Sequence, residues 1–178
     1  MLTTRIASSL AGLVTLVVLS ACAPVALVPE QGVAPIPQSE CRFTVNDLRP
    51  QPSVLWVKKS DGIVPAELTT PLAHAVRYHV CKRLTPEMLQ TPSSFAVTDY
   101  DCYVSGFWTI KYLVEIRGRF LTGDGVQYEL RQHFEHSDTS GVIKRGCEAA
   151  TLQVLDLLAS QIGPSLRKAP AKGTGDST

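Results

Sequence analysis

Charge of neither sign dominates the sequence: 178 residues carry 17 Lys and Arg against 16 Asp and Glu, a formal net charge of +1. Without a basic excess there is nothing to displace counterions from a polyanion, so electrostatically driven nucleic-acid binding is not expected. Aromatics are sparse at 7%, so the few that fall in turns stand out. No apolar run reaches the roughly 20 residues that a membrane-spanning helix needs. The cysteines lack CxxC-type spacing, which argues against a metal centre. No Ser elbow, phosphate loop or zinc-protease signature is present, and nothing calls for a cofactor.

What is present begins with a leader. Arg5 supplies a positive start, and Leu10 to Leu19 is apolar apart from Gly12 and Thr15. This reads as a secretory signal over residues 1–21. It ends Leu19-Ser20-Ala21-Cys22, which resembles the lipobox of bacterial lipoproteins. The resemblance implies that Cys22 is acylated and becomes the first residue of an anchored chain, several acyl chains making a stable anchor where one would be marginal. A plain signal peptide with an incidental cysteine is the alternative, but no comparable small-residue site follows. Ala23 stands where an aspartate would favour retention in the inner membrane, so the resemblance implies the periplasmic leaflet of the outer membrane.

Removing the leader leaves 178 − 21 = 157 residues with 16 charges of each sign, enough for one domain with a real core. Residues 22–40 contain Pro24, Pro29, Pro35 and Pro37 without helical or strand periodicity, and read as a semi-stiff tether. At about 3.1 Å per residue it would reach roughly 55 Å. Residues 164–178 mix Pro, Gly, Ser, Lys and Thr and read as a disordered tail. Between them, residues 41–163 are expected to form a single α+β domain.

Its pattern is β-α-β-β-β-α, a two-layer sandwich with two helices on one face of a largely antiparallel sheet. Strand one spans Cys41–Leu48, with Cys41, Phe43 and Val45 on one face. Val54–Val57 is a short apolar run suited to a sheet edge. A first helix begins where Thr70 caps and Pro71 takes the first position, burying Leu72, Val76, Val80 and Leu84. The last helix covers about Glu148–Ile162, with Gly163 and Pro164 ending it.

The middle of the chain is the most informative. Ile110, Tyr112, Val114, Ile116 and Phe120 alternate with polar residues, as do Val126, Tyr128, Leu130 and Phe134 beyond a Gly-rich turn. This predicts a hairpin with one buried and one wet face. Pairing Phe120 with Val126 sets Arg117 opposite Glu129, Glu115 opposite Arg131 and Lys111 opposite Glu135, with Gly118 facing Tyr128. Val97–Val104 supplies the preceding strand, with Asp101 opposite Lys111.

Four body cysteines in an oxidising envelope favour two disulfides, for which three connectivities exist. The first helix must run back antiparallel to strand one, which brings Cys81 beside Cys41. Cys102 lies near the end of a main strand, at the edge where Cys147 opens the last helix. The expected pairs are Cys41–Cys81 and Cys102–Cys147.

Candidate chemistry is thin. His133 and His136 have an odd separation on a strand and face opposite ways, so they cannot share a metal. His74 and His79 diverge by about 140° around a helix. Asp99 and Asp101 share a wet face, but nothing raises their pKa values, and a solvated edge is the default. No catalytic residue is assigned. Binding features remain: Trp56 in a Pro-flanked stretch, and Phe107 with Trp108 at a turn, each suited either to a partner contact or to the core.

The stretch Phe43-Thr44-Val45-Asn46-Asp47-Leu48-Arg49-Pro50, followed by Ser60-Asp61-Gly62-Ile63 and an amphipathic helix, resembles YajG-type outer-membrane lipoproteins. More loosely it is similar to envelope-transport auxiliary and LptE-like assembly lipoproteins. The resemblance covers about residues 41–85 and implies a non-enzymatic, anchored component with a protein partner in the envelope. A periplasmic hydrolase or cell-wall-modifying enzyme without a recognisable motif, and a small ligand or inhibitor binder, are the alternatives. Non-reducing peptide mapping should return Cys41–Cys81 and Cys102–Cys147; any other pairing would mean a different strand order or helix direction.

Overall fold

The computed structural model describes Val25 and residues 36–167; the leader, Cys22 and the tail beyond residue 167 lie outside the described residues. Six strands form one sheet: β1 (Phe43–Asp47), β2 (Val54–Lys59), β3 (Gly62–Glu67), β4 (Ser93–Ser105), β5 (Ile110–Leu121) and β6 (Gln127–Asp138). The helices are α1 (Leu72–Arg83), α2 (Pro86–Leu89) and α3 (Ile143–Arg167). The sheet order is β3-β2-β4-β5-β6, with β1 also paired to β4. Both β1 and β2 run parallel to β4 on the same side, β1 along Ser93–Val97 and β2 along Asp101–Tyr103. The fold is the expected α+β two-layer sandwich, mostly antiparallel, with α1 and α3 packed on one face.

Side-chain alternation explains which face is covered. Phe43, Leu55, Val57, Tyr100, Tyr112, Val114, Ile116 and Phe120 point inward and are buried. From α1, Leu72, Val76 and Val80 meet them, with Leu84 just past its end; from α3, Val154, Leu155, Leu158 and Ile162 do so at helical spacing. Gly118 and Gly146 are required by close approach: a Cβ at Gly118 would overlap the Phe95 ring, and one at Gly146 the Tyr112 ring. Tyr100 and Thr151 join sheet to helix. The Tyr100 hydroxyl donates to Thr151 Oγ1 at 2.8 Å, and Thr151 donates to the Cys147 carbonyl at 2.7 Å.

Cys41 is bonded to Cys81 and Cys102 to Cys147, with Cα separations of 6.1 and 6.0 Å. One bridge ties the start of the sheet to α1 and the other ties the C-terminal part of β4 to α3. In the chain-entropy picture, loops of 40 and 45 residues each stabilise by about 3–4 kcal/mol.

Several expectations need correction. The β5–β6 hairpin is shifted by two residues: Phe120 faces Tyr128, Gly118 faces Leu130 and Arg117 faces Arg131. A five-residue turn, Thr122–Val126, sets this register, closed by Thr122 N–H on the Val126 carbonyl and Gly125 N–H on Thr122. A shift of two preserves the faces, and the Glu115–Arg131 and Lys111–Glu135 ion pairs form diagonally at 2.8 and 2.9 Å. Asp101 faces Glu115, not Lys111. β2 is internal, because β3, whose Gly62 and Pro65 disguise it as a loop, takes the edge. Thr70 makes no capping bond, and Pro71 stands just outside α1.

α3 starts earlier than Glu148 and runs through Pro164 to Arg167, so residues 164–167 are helical and not tail. Buried Leu166 supplies a packing reason to continue past the lost N–H. The tether reading also fails where the chain is described. Val25 is 1% exposed, its N–H donates to Glu67, and its carbonyl accepts from Thr69 N–H and Thr69 Oγ1. Arg77 on α1 donates to the carbonyls of Ile36, Pro37, Cys41 and Phe43. The segment is strapped down at both places.

Thr151→Val removes the acceptor of the buried Tyr100 hydroxyl at nearly constant volume. Urea unfolding should show a loss of about 1–3 kcal/mol, and Thr151→Ser should recover most of it.

Candidate functional site

The β4–β5 turn carries the most exposed large hydrophobic side chains among the described residues. Phe107 and Trp108 are 85% and 88% exposed and pack edge-to-face on each other, ring centroids 5.3 Å apart. The turn holds them out because Gly106 adopts φ +97°, a left-handed conformation that suits glycine, with the Thr109 carbonyl crowding the place of a side chain. Register sets the surroundings. Lys58 lies level with Tyr103 and Ile110 with Asp138, so the β2–β3 turn and the β6–α3 connection lie at the same end. Val142, 43% exposed, belongs to that connection. Covering two such side chains contributes about 1.5–3 kcal/mol each.

Trp56 belongs to a different surface. It projects from β2 on the face away from the helices, half-buried, beside a groove of about 630 Å³ lined with Ile63, Lys58, Asp99 and Asp101. The structure therefore separates Trp56 from the Phe107–Trp108 pair. The same outer face carries a charge ladder that the sequence pattern shows only in part. Asp101 and Glu115 stand directly opposite each other and are both nearly buried, an unfavourable juxtaposition in isolation. Lys58 answers Asp101 at 2.5 Å, while Arg131 and Arg117 both bind Glu115. Burial pushes Glu115 up, but the guanidinium groups of Arg131 and Arg117 outweigh it and hold the carboxyl below its ordinary value. Lys58 is held above its ordinary value mainly by its hydrogen bond to Asp101. These are satisfied pairs, which suits a solvent-facing sheet surface. The alternation of opposite charges in the sequence gave the face and the Glu115–Arg131 and Lys111–Glu135 pairs, but not Lys58 with Asp101 or Arg117 with Glu115.

The histidines do not converge. His133 and His136 lie on opposite faces of β6, and His136 sits against the Tyr112 ring at 6.3 Å between centroids. His74 lines a hollow beside Arg77, while His79 faces Asp156 at 3.3 Å. No group of three or more metal-ligating side chains occurs among the described residues, and none of their helices is long and apolar enough to cross a membrane.

No family model matches the chain, and no curated protein matches it. The likeness of residues 41–85 to YajG-type lipoproteins therefore rests on those residues alone. Among solved structures, a DUF330-family protein of Xanthomonas campestris overlaps 82% of this chain and 92% of its own at TM-score 0.49 and 12% identity. A second, described as a "putative lipoprotein" from Caulobacter crescentus CB15, overlaps 63% and 86% at TM-score 0.31 and 10% identity.

Because the Glu115 carboxyl is held down in the folded state, its ionised form stabilises the fold above about pH 4.3 and that contribution is lost on acidification below it. Stability of the wild type should fall more steeply between neutral and acid pH than that of Glu115→Gln, measured by urea midpoints across that range. Parallel curves would show the ladder to be energetically idle.

Proposed function

We propose that this chain is a non-catalytic lipoprotein of the cell envelope, anchored through Cys22 in the periplasmic leaflet of the outer membrane. It serves as an accessory or scaffold component of a transport or assembly complex. The observation that carries the partner reading is the Phe107–Trp108 pair, raised on a glycine-shaped turn and left in water on nearly all sides. Adjacent aromatic anchors of this kind are the residues that dominate protein interfaces when a pocket closes over them. Leu19-Ser20-Ala21-Cys22 supports the anchor, and the ionisable groups that meet on the outer sheet face, Lys58 with Asp101 and Arg117 and Arg131 with Glu115, are paired with one another.

A photoreactive amino acid at position 108, irradiated in native envelopes, should yield a discrete crosslink to an envelope protein belonging to such a complex. Phe107→Ala should weaken it many-fold while near-ultraviolet circular dichroism stays unchanged. With Cys22→Ala the chain should appear in the soluble periplasm. Persistent membrane association would sink the anchor, and no crosslink at position 108 would sink the partner surface.

A further inference from the structure

We infer that the β3 edge of the sheet is the surface this protein lays against the lipid bilayer, and that the Val25 clasp holds it there. The inference rests on the lipid-anchor reading above and adds an orientation to it. Val25 follows Cys22 by three residues, and three residues of backbone reach at most about 11 Å. Val25 is fixed in the body: it is fully buried, bridges Leu68 in parallel and makes three hydrogen bonds to Glu67 and Thr69. Its amide, the side from which the chain enters, faces Glu67 at the end of β3. Acyl chains on Cys22 therefore enter the bilayer within a short span of this edge, and not at the end of a long tether.

The edge itself has the right chemistry. β3 reads Gly62-Ile63-Val64-Pro65-Ala66-Glu67 and holds no ionisable group before its last residue. Ile63 is 62% exposed, and Val64, although on the inner face, remains 39% exposed because the helical layer does not cover it. Pro65 has no N–H to offer another strand, which disfavours extension of the sheet by a partner. An uncharged, apolar edge beside a lipid attachment point suits the interfacial zone of a membrane, where small apolar side chains gain by leaving water.

The test uses the mature, full-length acylated chain in phosphatidylethanolamine–phosphatidylglycerol vesicles that contain lipid brominated along its acyl chains. With only two natural tryptophans, single-Trp reporters are simple to make: Ile63→Trp with Trp56→Phe and Trp108→Phe, and Trp108 alone with Trp56→Phe. Bromine should quench the position-63 reporter several-fold more than Trp108. Val25→Asp, which opens the clasp, should reduce quenching at position 63 severalfold without releasing the protein from vesicles. If the protein is acylated and bound but position 63 is quenched no more than Trp108, the orientation is wrong while the anchor stands. Unchanged quenching in Val25→Asp removes the clasp from the account. If intact mass shows no acyl group on Cys22, both the anchor and the orientation fall.

Discussion

Strand β4 carries one residue more than its partner β5 between Val97 and Asp99, and the direction of every side chain beyond that point follows from it. Before this bulge, Phe95 and Val97 face the core; after it, Tyr100 and Cys102 do. Without the extra residue, Thr98, one half of a 13-residue strand would present its apolar set to solvent. The bulge is also where β4 exchanges one parallel neighbour for the other, β1 ending near Val97 and β2 beginning near Asp101. Arg49 fills that junction. It is 8% exposed, binds Asp47 at 2.7 Å and the carbonyls of Pro52 and Val54, and lies over the Tyr100 ring. The alignment of Tyr100 with Thr151, and of Cys102 with Cys147, depends on the phase this junction sets.

Features legible in the sequence were those decided by local periodicity or by direction of travel. The two faces of the β5–β6 hairpin, the buried stripe of α1 and the directions that bring the cysteines together are of that kind. Register was not, because a turn's internal hydrogen bonds choose between alternatives two residues apart, and both alternatives keep the same face buried. The Thr98 bulge was hidden for a related reason: alternation read from Val97 onward is out of phase with alternation read from Tyr100. β3 was hidden because Gly62 and Pro65 look like punctuation, although an edge strand tolerates both. Pro164 gave the opposite error: a residue that ends most helices sits inside α3, where Leu166 still has a core to pack against.

The candidate surfaces divide along the same line. Aromatics at a turn are visible in sequence as a choice between core and interface, and only the fold decides it. Trp56 is half-buried on a sheet face of matched charges, whereas Phe107 and Trp108 stand free. The charge balance of the chain has a comparable local cause. Asp101 and Glu115 face each other across two strands, and three cations on the same face compensate them, so near-neutrality reflects the covering of a sheet more than the choice of a partner.

Strapping of the N-terminal segment changes what an anchor on Cys22 would mean mechanically. A free 18-residue tether lets a domain sample all orientations within its reach, so any surface meets a partner at the cost of ordering the linker on binding. A segment pinned at Val25, and again by four carbonyl bonds from Arg77, removes most of that freedom before any partner arrives. Along β4 the level of Val25 lies near Thr98, since Val25 bridges Leu68, Leu68 lies opposite Ser53 and Trp56 aligns with Asp101. The aromatic turn is nine residues further, roughly 30 Å at strand rise. On the proposed orientation the turn is thereby carried to a fixed place along the membrane plane or above it, which is the pre-organisation an accessory subunit needs in order to dock one small hydrophobic contact with useful affinity.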